Sequence, residues 1–344
     1  MAALALRVAD RLESARPGDF HVVALPDFFL DHIVVAPPWS DATSAMQAVH
    51  ARGGGNVPGW PQRFAPGGNA ANTALAVARL GARSHLVART DAFGLAYLRE
   101  TIGPLGVDLK QVRDDGDLAI TTALEFGEER RNVMLSWAGS VADLRPEHLD
   151  DNQLTLVQGS DAVVLANWTA NRGGGTELFE HVLKSTGGGR TLAYVDTGDP
   201  SARLADVPDL KRRVFAHPDL DVLALNENEL RLFSGVPGVE AGRAALRREV
   251  APDATLDVHT SEASWTAGPH GETSVPAFRV RFVRATGAGD VWNAGNLLGH
   301  LLDLAPDERL LLANATAAIY VSGTGPPPRL ADVVAWLRSG PAFQ

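Results

Sequence analysis

Residues 283–292 read Val-Arg-Ala-Thr-Gly-Ala-Gly-Asp-Val-Trp and run into an apolar helical pattern, Asn-Ala-Gly-Asn-Leu-Leu-Gly-His-Leu-Leu. Gly287 and Gly289 let the backbone turn sharply, so the N–H groups of Gly287, Ala288 and Gly289 can point at phosphate oxygens with a helix dipole behind them. Asp290 is out of place in such an anion site. A carboxylate beside phosphate is repelled unless it has a task, and the obvious task is to take the proton from a hydroxyl that attacks a phosphoryl group. The plainer reading is a glycine turn capped by an aspartate.

The elements that must position these residues alternate. Short apolar runs at 21–25, 84–88, 162–165, 191–195 and 222–225 read as strands, and segments of helical spacing lie between them, among them 69–80. Such alternation predicts an α/β fold with a mostly parallel sheet covered by helices on both faces. Residues 1–19 read as a helical N-terminal extension ending at Pro17-Gly18, and 20–344 as one α/β domain. Residues 41–50 have helical spacing, and 52–66 read as a long Gly/Pro/Trp loop. A β-hairpin is expected from Ala119–Phe126 and Asn132–Trp137 around Gly127-Glu128-Glu129-Arg130, and the triplets 173–175 and 187–189 as glycine loops.

The 344 residues, 45% of them hydrophobic, suffice for a large core. Net charge is −10 with three lysines, Lys110, Lys184 and Lys211, which argues against nucleic acid and anionic lipid as partners. The chain has no cysteine, which excludes disulfides and thiolate chemistry. Charges at Arg7, Asp10, Arg11 and Glu13 interrupt any signal-peptide core, no apolar run approaches the roughly 20 residues that span a bilayer, and a cytoplasmic protein is expected.

Two separated segments point the same way. Pro-Gly-Gly-Asn-Ala-Ala-Asn-Thr-Ala-Leu-Ala-Val-Ala-Arg-Leu-Gly-Ala at 66–82 is similar to the N-terminal signature of the ribokinase-like, or PfkB, carbohydrate kinases, and Ala-Thr-Gly-Ala-Gly-Asp at 285–290 resembles their C-terminal signature. Asn226-Glu227-Asn228-Glu229 between them matches the family's Asn-x-x-Glu motif. The resemblance covers roughly residues 20–335. It implies a doubly wound α/β domain with a small β-containing lid, here a discontinuous one from 36–65 and 116–140, and transfer of the γ-phosphoryl group of ATP, with Mg2+, to a primary hydroxyl of a sugar or nucleoside.

Carried over by position, the resemblance makes Asp290 the base and the Gly287, Ala288 and Gly289 N–H groups the hole for transferred charge. Asn226 and Glu229 would face the nucleotide phosphates, with Glu229 holding Mg2+ through water, although Asn-x-x-Glu alone is also an ordinary helix cap. Thr260 and Thr286 would bind nucleotide. Gly67, Gly68, Asn69 and Asn72 resemble the acceptor-binding segment, where missing side chains would let a sugar lie against backbone, and Asp31 matches the family's substrate aspartate. Asp27 has no such match and reads as a turn or cap.

Three departures carry consequences. Where the family usually has Asp-Thr, this chain has Arg284-Ala285, which calls the usual monovalent-cation site into question. Arg284 would then supply in fixed form the potential of a bound cation; the alternative is that it points to solvent. At His259-Thr260-Ser261-Glu262-Ala263-Ser264 the usual glycines of the nucleotide loop are missing, which predicts weakened ATP binding or a different donor. Helical spacing at 41–50 predicts a lid reduced to the Ala119–Trp137 hairpin, with Glu125 and Asn132 as residues that could reach substrate or simply face solvent. Homodimerisation through lid strands is implied by the resemblance and weakened by a shortened lid. Asn167, Trp168, Asp196 and Asp199 follow strand ends, where ligand crevices open; Trp168 suits either stacking on a ligand or packing.

Rival readings fare worse. The chain lacks an early Gly-x-Gly-x-x-Gly, a Gly-Lys P-loop, Gly-x-Ser-x-Gly and His-Glu-x-x-His. The serious alternative is a kinase-like sugar or nucleotide sensor or scaffold that has lost catalysis; a nucleoside kinase is the second.

Overall fold

A computed structural model describes residues 1–128, 131–187, 190–269 and 271–344. Glu129 and Arg130 of the expected hairpin turn, and Gly188 and Gly189 of the second glycine triplet, lie outside the described residues.

In chain order the strands that concern the site are β1 (His21–Leu25), β2 (Phe29–Ala36), β3 (Gln62–Gly67), β4 (Arg83–Leu86), β5 (Val107–Asp108), β6 (Ala119–Phe126), β7 (Arg131–Trp137), β8 (Ala162–Ala166), β9 (Leu192–Asp196), β10 (Val222–Asn226), β11 (Thr255–His259), β12 (Ala263–Gly268) and β13 (Gly271–Pro276). Nine form the main sheet in the order β13-β12-β11-β10-β9-β8-β1-β4-β5. It is parallel from β11 to β5, and β12 and β13 extend it antiparallel. The central strands are apolar along their length because both faces are covered. Val22, Ala24, Val164, Tyr194 and Ala224 join the core on one side, while Val23, Leu25, Val163, Val195 and Leu225 join the core on the other. The expected α/β class and strand pattern are therefore those of the structure.

The helices that frame the site are α1 (Ala2–Ser14), α2 (Trp39–Ala51), α3 (Asn69–Arg79), α4 (Glu227–Ser234), α5 (Ala288–Leu301), α6 (Pro306–Val321) and α7 (Leu330–Arg338). The extension helix α1 buries Leu4, Val8 and Leu12 in the core shared with α6 and α7, and Arg11 bonds Glu308 at 2.8 Å. The spacing at 41–50 does form a helix.

A second sheet, β3-β2-β6-β7, stands beside the first. Two expectations are corrected by it. The stretch 52–66 is not loop throughout: Gln62–Gly67 pairs antiparallel with β2 from Phe29↔Gly67 to Val34↔Gln62. Its Gln-Arg-Phe sequence has no period-2 burial to signal a strand, and the partner's edge supplies the order. The hairpin β6–β7 does not stand alone either, because β2 pairs with β6 from Phe29↔Ala119 to Ala36↔Phe126. The sheet therefore draws on residues before the boundary expected at 36.

Beneath α5 the core carries charge. Asp257 on β11 is fully buried and meets Arg309 of α6 at 2.5 Å, with Asn296 at 2.8 Å. Burial pushes the Asp257 carboxyl up, and Arg309 and His300 more than offset this and hold it well below the usual carboxylate range. Arg309→Met strands that carboxylate, so the unfolding free energy should fall by about 3–5 kcal/mol in a urea titration, whereas an unshifted midpoint would show that the pair contributes nothing.

Candidate active site

A cavity of about 610 Å3 opens at the carboxyl ends of the parallel strands, between the main sheet and the second one. This is where α/β sheets place ligands. Asp196 ends β9, Asn226 ends β10 and His259 ends β11, so the sheet aligns three polar side chains along one wall. The second sheet supplies the opposite wall with Asp31, Thr121, Glu125, Met134 and Ser136.

The helix α5 begins at Gly287, whose φ of 80° is left-handed, and a Cβ there would sit 2.8 Å from the Tyr320 hydroxyl. Glycine is required on both counts. The Ala288 N–H already donates to the Ala285 carbonyl at 3.0 Å, which removes it from the expected set of three donors. Gly287 and Gly289 line the cavity, and a Cβ on Gly289 would meet the His259 ring at 3.6 Å, an ordinary contact. Thr286 lines it as well, its carbonyl accepting from the Tyr320 hydroxyl at 3.2 Å.

Asp290, in the first turn of α5, is buried and accepts from Asn72 Nδ2 at 2.8 Å. Burial, then the charge of Asp196, pushes its carboxyl well above the usual range; the Asn72 bond works the other way. Asp196 accepts from Asn293 Nδ2 at 2.7 Å, the Gly198 N–H at 3.1 Å and Asn69 Nδ2 at 3.5 Å. Burial raises it too. Glu229 and Asn226 form a reciprocal capping box on α4, with Glu229 Oε2 accepting from the Asn226 N–H and Asn226 Oδ1 from the Glu229 N–H, both at 2.9 Å. Both residues also line the cavity, so the motif is a helix cap and part of the cavity wall at once. Burial and then Asp196 raise the Glu229 carboxyl.

Asp31 is half-buried on β2 and pushed up to about 7 by burial and then Asp27, with Arg63 easing it. Gly67 lies against it: a Cβ would stand 2.3 Å from Asp31 Oδ2. The missing side chain at Gly67 thus makes room for this carboxylate, where the sequence suggested room for a sugar. Gly68, with φ 89°, makes the corresponding room for Asp27, 2.9 Å from where its Cβ would be. Asp27 is fully buried, raised to about 6 by that burial, and accepts from the N–H groups of Asn69 at 3.0 Å and Ala70 at 2.8 Å and from Asn167 Nδ2 at 2.8 Å. It caps α3 from a distance of some forty residues in sequence, as its cap reading implied.

Other expected residues fall outside. The Thr260 hydroxyl closes the turn into β12, accepting from Glu262 and Ala263 N–H groups at 3.0 and 3.1 Å, and the residue lines an adjoining groove with Asn228, Arg231 and Ser261. His259 takes the cavity position. Burial lowers its imidazole to about 4, so it is neutral, and its ring lies 4.7 Å from that of Trp292. Trp168 is core: fully buried, with Nε1 bonded to Thr176 at 2.9 Å, so it cannot stack on a ligand. Asp199 binds Ser201 and Asn228, away from the cavity, while Asn167 lines it. Glu125 lines the cavity, and Asn132, exposed on β7, does not. Arg284 does not point to solvent. Its guanidinium lies 3.4 Å from the Tyr320 ring centre and donates to the carbonyls of Tyr320, at 3.0 Å, and Gly325.

Among the described residues no three His, Cys, Asp or Glu side chains form a ready metal cage. The group that fits is a hydrated cation. Asp196, Glu229 and Asp290 each have a raised carboxyl, which a divalent ion beside them would offset, and Mg2+ characteristically keeps several waters and takes one or two carboxylates. No helix among the described residues is long and apolar enough to cross a membrane.

Residues 52–329 match the model of the pfkB family of carbohydrate kinases. The chain is 29% identical over 285 residues to a fructokinase of Klebsiella pneumoniae, covering 76% of this chain and 87% of that one. It is also 29% identical over 275 residues to an ATP-dependent ribose-1-phosphate kinase of Halopiger xanaduensis, with 77% and 83% covered. In structure it resembles an Arabidopsis thaliana ribokinase complexed with ribose and ATP, with a TM-score of 0.73 and 20% identity over 92% of this chain and 98% of that one.

The raised carboxyls set a pH dependence. The folded protein keeps protons that carboxyls of an unfolded chain lose near pH 4, so a raised carboxyl costs stability as pH rises from about 4 to its folded value, near 7 for Asp31, and nothing further above it. His259, lowered to about 4, titrates in the same interval with the opposite sign, so the comparison is made against a variant that keeps it. Without nucleotide or divalent ions, wild type should lose melting temperature relative to Asp31→Asn as pH rises from about 4.5 to 7, and the difference should be flat above about 7.5. A difference that stays constant from about pH 4.5 to 7 contradicts the assignment.

Proposed function

As the chain belongs to the pfkB family of carbohydrate kinases, and so is a phosphotransferase with an alcohol acceptor, we propose that it moves the γ-phosphoryl group of ATP to a primary hydroxyl of a sugar or sugar-like molecule, with Asp290 as the base. The observation that carries this reading is the position of Asp290: buried, at the start of α5 beside Gly287 and Gly289, and bonded to Asn72 of the segment that bears Gly67 to Asn69. A hydroxyl held by Asp31, Asn69 and Asn72 is then flanked by a base and by N–H groups for the transferred charge.

In the step itself the acceptor oxygen loses its proton to Asp290 and forms a bond to the γ-phosphorus, as the bond to the β,γ-bridging oxygen breaks and nucleoside diphosphate departs. Mg2+, when bound, supplies charge neutralisation across the phosphates; Glu229 would hold it through water from the wall of β10 and α4. Positive charge held there would lower the raised carboxyls and favour the ionised form of Asp290 that accepts the proton. The Gly287 and Gly289 N–H groups are aimed by backbone conformation and so need no reorganisation. The second sheet acts as the lid, whose wall of Asp31, Thr121 and Met134 excludes the water that would otherwise accept the phosphoryl group.

Arg284 acts in place of a monovalent cation. Its guanidinium already satisfies carbonyls of the last turn of α6 and of Gly325 just past it, and carries fixed positive charge behind Thr286. The rate should therefore change less than about twofold between potassium and choline salts; a many-fold potassium activation removes Arg284 from that role.

The named acceptors of relatives, fructose and ribose 1-phosphate in the two above, leave neutral and phosphorylated sugars both open. The turn at Thr260, which has no glycine and a committed hydroxyl, favours a second reading, a ligand sensor without turnover. Nucleotide consumption against pentoses, hexoses, sugar acids, sugar phosphates and nucleosides decides between them. Acceptor-dependent turnover should appear and fall by about 10²–10⁴-fold in Asp290→Asn, with nucleotide affinity within a few-fold of wild type. No turnover on any acceptor, with sugar or nucleotide still bound in calorimetry, establishes the sensor.

A further inference from the structure

The reading above gives the cavity's one arginine no task. Arg172 lies in the loop that follows β8 and lines the cavity with Asn167, Thr169 and Ala170. Among the described lining residues it is the sole lysine or arginine, in a cavity whose acidic lining residues are Asp31, Glu125, Asp196, Glu229 and Asp290. It is exposed, and its guanidinium has no hydrogen-bond or ion-pair partner in the described structure.

The backbone that presents it is fixed by an unusual number of buried bonds. Arg203 is buried 3.8 Å over the ring of Trp168 and donates to the carbonyls of Trp168 at 2.7 Å, Asn171 at 2.5 Å and Arg172 itself at 3.5 Å. Asn171, fully buried, donates to the Leu144 carbonyl at 2.7 Å and accepts from the Gly174 N–H at 3.1 Å. A loop clamped on both sides of a free guanidinium is a prepared position for an anion receptor, because the cost of ordering its backbone is met before a ligand arrives.

The sheet order says which ligand it serves. Asn226, Glu229 and His259 belong to β10, α4 and β11 on one side of β9; Arg172 follows β8, next to β1 and the Asp31 and Asn69 segments, on the other. Arg172 therefore stands on the acceptor side and away from the wall assigned to nucleotide. We propose that the acceptor is an anionic sugar, carrying a carboxylate or a phosphate that pairs with Arg172 while its hydroxyls reach Asp31, Asn69 and Asn72. This rests on the kinase reading of the cavity. An acceptor of that charge would be repelled by the carboxylate wall without such a partner, and a planar guanidinium matches carboxylate and phosphate oxygens in pairs.

The test uses full-length wild type, Arg172→Gln and Arg172→Lys with ribose and fructose, gluconate and 2-oxogluconate, and ribose 5-phosphate and fructose 6-phosphate. Wild type should prefer one anionic class, and the panel shows which. Arg172→Gln should lower kcat/KM for it about 10–100-fold through KM, with kcat within a few-fold, and Arg172→Lys should recover part of the loss. A neutral sugar as the best acceptor, or an unchanged KM for the anionic one in Arg172→Gln, overturns the proposal. If nothing is phosphorylated, the same panel is measured by calorimetry. Anionic binding that Arg172→Gln removes then upholds the anion receptor while the kinase reading fails, and absence of anionic binding overturns the receptor as well.

Discussion

Asp31, Asp196, Glu229 and Asp290 face a single cavity, with Asp27 buried behind Asp31, and the rest of the site is arranged around their mutual repulsion. Burial raises each carboxyl, and the neighbouring carboxylates add to it at Asp31, Glu229 and Asp290. The cavity is short of positive charge, and under the proposed function a divalent ion accompanying the donor would supply it.

The fold holds these groups with neutral donors. Asn72 bonds Asp290, Asn293 and Asn69 bond Asp196, Asn226 bonds Glu229, and Asn167 bonds Asp27. Amides fix carboxylate positions without pairing their charge away, so the cavity stays electronegative while its geometry stays set. Backbone does the remainder, with α3 starting on Asp27 and α5 starting at a left-handed glycine. The behaviour of Arg309, Arg203 and Arg284 is the complement: each guanidinium is spent outside the cavity on a buried carboxylate or on carbonyls, and Arg172 is the one lysine or arginine among the described residues that line it.

Much of this was legible before any coordinates. Strand β1 at His21–Leu25 and strand β6 at Ala119–Phe126 have the bounds that apolar runs and turn residues indicate, and the two glycine signatures drew Asp290 and Asn72 together across the chain. What was not legible depended on partners distant in sequence. β3 is a strand because β2 offers it an edge, and Trp168 is core because Arg203 and Thr176 close over it. Asn293 and His259 were missed for a related reason. Asn293 sits in an apolar helical run that reads as packing, and His259 ends a strand one residue before the threonine that drew attention. A buried polar residue within such a run was the available signal at Asn293, since a group of that kind needs a partner.

The central claim is that burying these carboxyls beside one another is a cost the free protein bears for its function. The most direct measurement is the melting temperature of Asp290→Asn against wild type near pH 8, without nucleotide or divalent ions. Asparagine keeps an acceptor for the bond to Asn72 and has no ionisation for burial to oppose, so the variant should melt higher than wild type. A variant that melts lower than wild type would contradict the claim and make Asp290 a structural residue first.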